Sequence, residues 1–173
     1  MNPRTLLACA ALLLATAAHA EPPADIDTAG FERQTAAALA LRETRTLGTD
    51  AFLEMAARDD VVLLDTRSKW AYDRKHLAGA VHLNFSDFTA EKLAALIPSK
   101  DTPVLIYCNN NLEGDQVAFP RKIAPMALNI PTSVNLYGYG YRNVYEMGTL
   151  VRVDDPRFVF EGTDVVPAVQ KRR

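Results

Sequence analysis

The chain has 173 residues, of which 49% are hydrophobic, and its 19 Lys and Arg against 21 Asp and Glu give a net charge of −2. This length fits one ordinary domain with a sizeable core. Because there is no basic excess, the composition argues against nucleic acid or an anionic membrane as a partner. One cysteine and two histidines occur after residue 20, at unrelated spacings. A zinc site is therefore not expected, and no other metal or cofactor is indicated.

The first 20 residues have the pattern of a secretory signal peptide. Arg4 supplies the positive start, residues 6–18 are apolar, and the small side chains of Ala18 and Ala20 flank a cleavage position. We therefore expect cleavage after Ala20, a periplasmic or secreted protein, and no membrane insertion afterwards. The alternative is that residues 6–9 form a lipobox with a lipidated Cys9. The apolar run before Cys9 is three residues, however, whereas such a region needs at least about seven.

Apolar periodicity and capping residues predict alternating helices and strands after an extended leader at 21–25. Helices are expected at 29–45, 52–55, 69–76, 91–96 and 132–137, the second capped by Thr49 or Asp50 and the fourth by Thr89. Strands are expected at 61–64, 80–83, 104–108 and 143–147, with a hairpin or extended edge at 151–160. Prolines at 120, 125 and 131 exclude one continuous helix between the last two strands. This alternation is typical of an α/β fold with a mostly parallel sheet.

Cys108 ends the apolar run 104–108 and is followed at once by a polar loop. The loop after the carboxyl end of a strand is where open α/β sheets place their ligands. Since Cys9 lies in the predicted signal peptide, Cys108 has no partner for an internal disulfide. Two interpretations remain open from the residues alone: a reactive thiol, or a small apolar side chain that fills the core.

The ordered landmarks of the chain resemble those of a rhodanese domain. These landmarks are Leu63-Leu64-Asp65-Thr66-Arg67, Trp70-Ala71-Tyr72, the run from His76 to Leu83, Tyr107-Cys108, and the run from Gly140 to Tyr145. The resemblance covers about residues 46 to 150. It implies a central, mostly parallel five-stranded sheet flanked by helices. It also implies that Cys108 corresponds to the cysteine that carries a persulfide in active members.

With this resemblance, the chain divides into a signal peptide at 1–20, a leader and helix at 21–45, a rhodanese-like domain at 46–162 and a disordered tail at 163–173. The domain contains an inserted loop at 115–131. Within it, Asp65, Arg67 and His76 are interpreted as structural supports of the loop that carries Cys108, and not as catalytic groups.

Sulfur transfer requires a thiolate that accepts a sulfane sulfur from a donor and gives it to an acceptor thiol. A loop whose backbone N–H groups converge on the sulfur stabilises both the thiolate and the persulfide anion. Asn and Gly tolerate the dihedral angles of such a loop. The candidate substrate-binding residues are therefore the six loop residues and one cation of the insert: Asn109, Asn110, Asn111, Leu112, Glu113, Gly114 and Arg121.

Two departures from the family pattern bear on the substrate. Residues 109–114 contain no cation, and the Glu113 carboxylate is expected to raise the pKa of Cys108 and to repel dianionic donors such as thiosulfate. Phosphatases that share this fold need an Arg six positions after the cysteine, where this chain has Gly114. The insert 115–131 is either a plain surface loop or a lid that returns Arg121 or Lys122 to the sulfur.

Two functions therefore remain. The first is an exported sulfurtransferase that carries a persulfide on Cys108, with a small sulfur donor and a thiol acceptor of unknown identity as partners. The second is a catalytically silent module of the same fold, which binds a partner protein or a small anion. A dithiol redox protein is disfavoured, because the chain has no Cys-x-x-Cys pair.

Overall fold

The computed structural model describes residues 24–165. The predicted signal peptide and the last part of the predicted tail lie outside these residues. The helices are α1 (Thr28–Arg42), α2 (Thr49–Ala56), α3 (Lys69–Arg74), α4 (Ala90–Leu96) and α5 (Asn129–Gly138). The strands are β1 (Thr46–Leu47), β2 (Val62–Asp65), β3 (His76–Leu77), β4 (Val81–His82), β5 (Val104–Tyr107), β6 (Leu112–Glu113), β7 (Val144–Met147), β8 (Val151–Arg152) and β9 (Phe160–Glu161). Three short 3-10 turns lie at Phe85–Asp87, Asn109–Asn111 and Ala124–Met126.

The central sheet has five strands in the order β1-β7-β5-β2-β4, and every neighbouring pair is parallel. This confirms the predicted α/β fold with a five-stranded sheet. The β5 strand lies in the middle and is buried along its whole length. A strand covered on both faces reads as a continuous apolar run, which is why 104–108 was recognisable from the sequence.

The two faces of the sheet carry separate clusters of buried side chains. One face contains Leu105, Tyr107 and Met147 packed with Phe52 of α2. On the other, Ile106 and Leu64 pack with residues of α4 and α5, including Leu93 and Leu136. Alternate residues of a strand point to opposite faces, so Cys108 shares the face of Ile106. The cysteine therefore lies on the side of the sheet that α5 covers.

Helix positions agree with the prediction, and their ends show where local signals were misread. The α2 helix has no side-chain cap, because its N-cap is Gly48, and the hydroxyl of Thr49 pairs instead with that of Thr149 at 2.9 Å. Thr89 does cap α4, accepting from the backbone N–H of Lys92. The α5 helix begins at Asn129, three residues before the predicted start. Pro131 fits there because the first helical turn does not need its missing N–H.

The segment 151–160 does not form a hairpin. Its first part, β8, runs parallel to β6, whereas β9 pairs antiparallel with β3. Each end of the segment therefore joins a different small ribbon. Residues expected to start a disordered tail are also held: Thr163 N–H donates to the carbonyl of Asp73 at 2.8 Å and Asp164 N–H to that of Arg74 at 3.0 Å.

Among residues 24–165, no helix has both the length and the hydropathy that a membrane span requires.

Candidate active site around Cys108

Cys108 follows the last residue of β5 and is 1% exposed. It lies between the sheet and the start of α5, and its thiol is free. The position at the carboxyl end of a central parallel strand is the one predicted from the sequence.

The backbone N–H groups of Asn110, Leu128 and Asn129 lie close enough to the sulfur of Cys108 to lower the pKa of its thiol. Asn110 belongs to the polar loop. Leu128 and Asn129 stand at the N-terminal end of α5, which begins within the last residues of the predicted insert. The unpaired N–H groups at a helix start favour negative charge on a nearby atom. The sulfur is therefore held by two separate segments, and not by the six-residue loop alone as the sequence suggested.

The pKa of the Cys108 thiol is raised above its ordinary value. Burial is the largest cause, because it disfavours the charged thiolate. The N–H groups of Asn110, Asn129 and Leu128 act in the opposite direction, and the negative charge of Glu146 adds to the rise. The resting side chain is consequently a neutral thiol at neutral pH, with hydrogen-bond donors already placed for the anion.

Asn111 joins the three elements that meet at this site. Its Oδ1 accepts from the backbone N–H of Cys108 at 2.9 Å and from Nδ2 of Asn129 at 3.1 Å. Its Nδ2 donates to the carbonyl of Met147 at the end of β7, at 2.8 Å. One buried amide therefore fixes the cysteine relative to both α5 and β7.

Asn110 connects the loop to the insert. Its Nδ2 donates to the carbonyl of Lys122 at 2.7 Å, and its Oδ1 accepts from the N–H of Lys122 at 3.0 Å. The same residue therefore offers its backbone to the sulfur and its side chain to the insert.

The second half of the loop turns away from the sulfur. Leu112 is fully buried in the core, and Glu113 lies in β6 opposite Arg152 of β8. The charge of Glu113 contributes to the raised pKa of Arg152, after the larger effect of Asp154. Gly114 takes a φ of 96°, which suits glycine. The carboxylate identified as raising the pKa of Cys108 is that of Glu146, so the repulsion expected from Glu113 is reassigned to Glu146.

Asp65 and Arg67 form a buried ion pair at the end of β2. Arg67 donates from Nη2 to Asp65 Oδ2 at 2.6 Å, and the Tyr107 hydroxyl donates to the same oxygen at 2.5 Å. Burial opposes the charge of Arg67, but the hydrogen bond and charge of Asp65 outweigh it and raise the arginine pKa. Arg67 also donates to the carbonyls of Ala118 and Lys75, each at 2.8 Å. The ion pair therefore connects the end of β2 to the insert and to the residue that follows α3.

His76 lies in β3, two residues after the end of α3, whereas the sequence placed it within that helix. Its Nδ1 is 2.7 Å from the carbonyl of Tyr72 in α3, and its ring stacks on Tyr72 with 3.7 Å between centroids. Nε2 is 3.6 Å from a carboxylate oxygen of Glu161 in β9. These contacts join α3 to the small β3–β9 ribbon and are structural.

The insert is partly a core element. Phe119 is fully buried, and the Arg67 guanidinium lies 4.4 Å from its ring centroid. Asp115 pairs with Lys75 at 2.6 Å. These contacts fix the first five residues of the insert, whereas its following residues are exposed and include Arg121.

A pocket of about 440 Å³ opens beside the cysteine. Its walls include Asn109, which follows Cys108, and Leu128, whose N–H lies close to the sulfur. The remaining lining residues are aromatic, small or polar: Thr66, Arg67, Ser68, Trp70, Ala71, Asn84, Phe85, Ser86, Pro120 and Lys122. Lys122 therefore reaches this pocket, and Arg121 is not among the residues that line it.

Asn109, one of the residues that line the pocket, contains a side-chain oxygen that is itself buried. Its side chain is nine-tenths buried, and its Oδ1 has no hydrogen-bond partner among the described residues. A buried amide oxygen of this kind is costly unless a ligand or solvent satisfies it. No group of three or more His, Cys, Asp or Glu within 24–165 is arranged to hold a metal ion.

Sequence reasoning missed Leu128, Asn129, Glu146 and Trp70 as parts of the site. The first two carry no chemical signal, since they act through backbone N–H groups. Glu146 did carry one: an acid in an otherwise apolar strand is unusual and costs free energy unless it is paired.

Comparison with known proteins found several similar chains. Thiosulfate sulfurtransferase GlpE of Coxiella burnetii is 31% identical over 65 residues, which cover 38% of this chain and 58% of that protein. The chain thus spans less than two thirds of the length of these curated relatives. The solution structure of the rhodanese-like domain of the Anabaena protein Alr3790 is 16% identical, with a TM-score of 0.50, covering 75% of this chain and 89% of that domain. Protein hp1203 of Helicobacter pylori is 24% identical, with a TM-score of 0.44, over 76% and 99% of the two chains.

The model of the rhodanese-like domain matches residues 49–148, which include the strand-end cysteine, its polar loop, the buried Asp65–Arg67 pair and the start of α5. With more than half of the chain matched, this protein belongs to the rhodanese-like domain family.

Proposed function

We propose that this protein is a sulfurtransferase that carries sulfane sulfur as a persulfide on Cys108. The observation that supports this most is the convergence of three backbone N–H groups on the sulfur, two of them from a helix N-terminus. Such donors stabilise a thiolate and also the terminal sulfur anion of a persulfide.

The transfer divides into two displacements at sulfur. The Cys108 thiol loses its proton to the donor or to solvent, and its thiolate attacks the terminal sulfur of a donor R–S–S⁻. A new S–S bond forms on Cys108, the S–S bond of the donor breaks, and RS⁻ leaves and takes up a proton. An acceptor thiolate then attacks the terminal sulfur, forms a new persulfide and regenerates the Cys108 thiolate. No net oxidant is needed.

The pocket favours donors with a single charge or none. Of its lining cations, Arg67 is engaged by Asp65 and by two carbonyls, which leaves the Lys122 ammonium to meet an anion. The aromatic surface of Trp70, which is 56% exposed, suits an organic group on the donor. We therefore propose an organic persulfide or polysulfide as the donor, with thiosulfate, the substrate in the name of GlpE, as the weaker one.

Mass spectrometry of the intact protein tests this function. In a Cys9→Ser background, Cys108 is the remaining thiol of the chain. Polysulfide should add the mass of one sulfur atom, and a small thiol acceptor should remove it. Cys108→Ser, which is nearly isosteric, should stay folded and show no addition. Addition that persists in Cys108→Ser contradicts the assignment of the site.

The alternative function is a silent binding module, and one observation favours it. Cys108 is 1% exposed and its pKa is raised, so the resting thiol is poorly reactive. If folded protein takes up no sulfur from polysulfide, organic persulfide or thiosulfate, while a small anion binds the pocket beside Asn109, this second function is the correct one.

We also propose that the protein is exported, on the basis of the signal-peptide pattern in residues 1–20. The mature N-terminus in a periplasmic or secreted fraction should be Glu21. A membrane-bound form with a lipid on Cys9 would contradict this proposal and would leave the domain assignment unchanged.

A further inference from the structure

Glu146 is a buried acid in the central sheet. It lies in β7, its side chain is 3% exposed, and its backbone is in register with Ile106 of β5. Residues in register on neighbouring strands share a face, so Glu146 and Ile106 point to the same side. Cys108, two residues after Ile106, points to that side as well. The carboxylate and the thiol are therefore enclosed between the sheet and the same helix, α5.

The contacts of Glu146 come from a part of the chain outside the matched family region. Arg42, at the end of α1, lies 2.5 Å from Glu146 Oε1, and the hydroxyl of Thr46 in β1 donates to the same oxygen at 3.2 Å. The other carboxylate oxygen, Oε2, is buried without a partner in the part of the chain that the structure describes. We call the segment Thr28–Leu47, which contains α1 and β1, the N-terminal addition.

The N-terminal addition is fixed to the domain at both of its elements. The β1 strand runs parallel to β7, and the N–H of Glu146 donates to the carbonyl of Arg45 at 3.0 Å. In α1, Gln34 donates to the carbonyl of Val134 in α5 at 3.1 Å, and Ala38 is buried. The addition therefore covers the same face of the sheet as the helix that holds the sulfur.

We propose that Arg42 and Glu146 are positioning residues of the active site, and that the N-terminal addition sets the acidity of Cys108 through this pair. Arg42 offsets the negative charge that Glu146 places beside the thiol. The thiolate is then less disfavoured than it would be beside an unpaired carboxylate. The raised pKa of Cys108, to which Glu146 contributes, agrees with this arrangement.

Other charged or titratable groups on the surrounding elements are paired or lie farther along. On β2, Asp65 and Arg67 bind each other on the opposite face, together with Tyr107. The remaining groups are Arg45 between α1 and β1, Lys122 in the insert, Tyr137 in α5, Tyr141 after α5 and Tyr145 in β7. Glu146 is therefore the acid that faces the thiol on this side of the sheet.

The pH dependence of alkylation of Cys108 by iodoacetamide, in the Cys9→Ser background, tests the proposal. Glu146→Gln should lower the apparent pKa by about one unit and so raise the rate at neutral pH by about tenfold. Arg42→Gln should shift the profile in the opposite direction and slow the reaction several-fold. Arg42→Lys, which keeps the charge, should stay close to the parent. Arg33→Gln is the matched control, because Arg33 is an exposed α1 residue 3.9 Å from Asp27.

The double variant separates positioning from a structural role. Because electrostatic potentials add, Arg42→Gln should slow alkylation also when Glu146 is Gln, and Arg42→Lys should keep the unslowed rate in both backgrounds. A slowing that Arg42→Lys shows equally, or a Glu146→Gln profile that matches the parent while circular dichroism shows native structure, overturns the proposal. If Arg42→Gln does not fold, Glu146→Gln and Arg42→Lys still decide the question.

This inference rests on Cys108 being the reactive group of the proposed function, but alkylation does not need sulfur transfer. A shifted pH profile without any sulfur uptake would reject the sulfurtransferase and retain the Arg42–Glu146 pair. Sulfur uptake with unshifted profiles would do the reverse.

Discussion

At Cys108, burial and hydrogen bonding act on the thiol in opposite directions. Burial wins, and the pKa is raised, although three N–H groups favour the anion. A side chain in this state is unreactive until a substrate or a movement of the protein helps remove its proton. Such restraint suits a protein that must not lose its thiol to unrelated reagents.

The first prediction concerns pH. Below the pKa of a thiol the thiolate fraction increases about tenfold per pH unit, and it levels off above the pKa. Because the pKa of Cys108 is raised, its alkylation rate should still be rising at the pH where a short cysteine peptide has levelled off. The measurement is the rate of iodoacetamide labelling against pH in the Cys9→Ser protein. An alkylation rate that levels off at a lower pH than that of the peptide would contradict this prediction.

The second prediction concerns Asn109. Since its Oδ1 has no partner among the described residues, Asn109→Ala should change the free energy of unfolding by less than about 1 kcal/mol. Because Oδ1 only accepts, Asn109→Ala should raise the KM roughly two- to tenfold for an organic persulfide whose organic group carries an N–H or O–H. The control is Asn111→Ala, which removes the acceptor of the Cys108 N–H and should be far more destabilising. Equal stability losses in both variants would contradict the assignment.

The third prediction concerns Glu113, which the sequence made the main source of repulsion. Because Glu113 lies opposite Arg152 in the β6–β8 ribbon, Glu113→Gln should leave the pH profile of Cys108 labelling essentially unchanged. Turnover of thiosulfate should not improve either. Steady-state rates with thiosulfate and with an organic persulfide check this, and a clear gain for thiosulfate alone would restore the original interpretation.

At the scale of elements, the cysteine loop and the start of α5 form one site, although the first part of the insert, residues 115–127, separates them in the chain. The Asp65–Arg67 pair holds this arrangement, since Arg67 binds the carbonyl of Ala118 within the insert. The sequence placed Asp65 and Arg67 at the end of a strand. The carbonyls that Arg67 binds belong to Ala118 and Lys75, and local sequence patterns do not reveal such distant contacts.

The fourth prediction follows from the burial of that pair. Arg67→Met leaves the Asp65 carboxylate buried without its cation, which should cost about 3–5 kcal/mol of unfolding free energy. Arg58→Met provides the control, because the Arg58–Asp60 pair is exposed, and its effect on the unfolding free energy should be far smaller than that of Arg67→Met. Urea unfolding of both variants is the measurement. A small loss in Arg67→Met would show that the pair is not required for folding.

The elements differed in how far the sequence determined them. The strands β2, β5 and β7 are apolar runs between turn residues, and the sequence located them within one or two residues. The two-residue strands β1, β3 and β6 escaped prediction, because pairing with a distant partner defines them and no periodic pattern does. For the same reason the sequence left a hairpin and an extended edge open for the segment 151–160, whose two ends pair with β6 and β3.

At the scale of the whole molecule, the fold and the position of Cys108 were predictable, whereas the surroundings of the sulfur were not. Cys108 stood out because it ends a buried strand next to a polar loop. Leu128 and Asn129 act through their backbones, which carry no residue-specific signal. Glu146 reaches the thiol through the register of β5 and β7, and register follows from the assembled sheet.

The near-complete burial of Cys108 has a kinetic consequence. With 1% of the residue exposed, a reagent cannot collide with the sulfur until the protein opens beside it. Opening and chemistry are then successive steps, and at high reagent concentration the observed rate should stop rising and equal the rate of opening. A sulfur atom carried on Cys108 would likewise be released no faster than these openings occur, so the rate of opening would limit the rate of transfer.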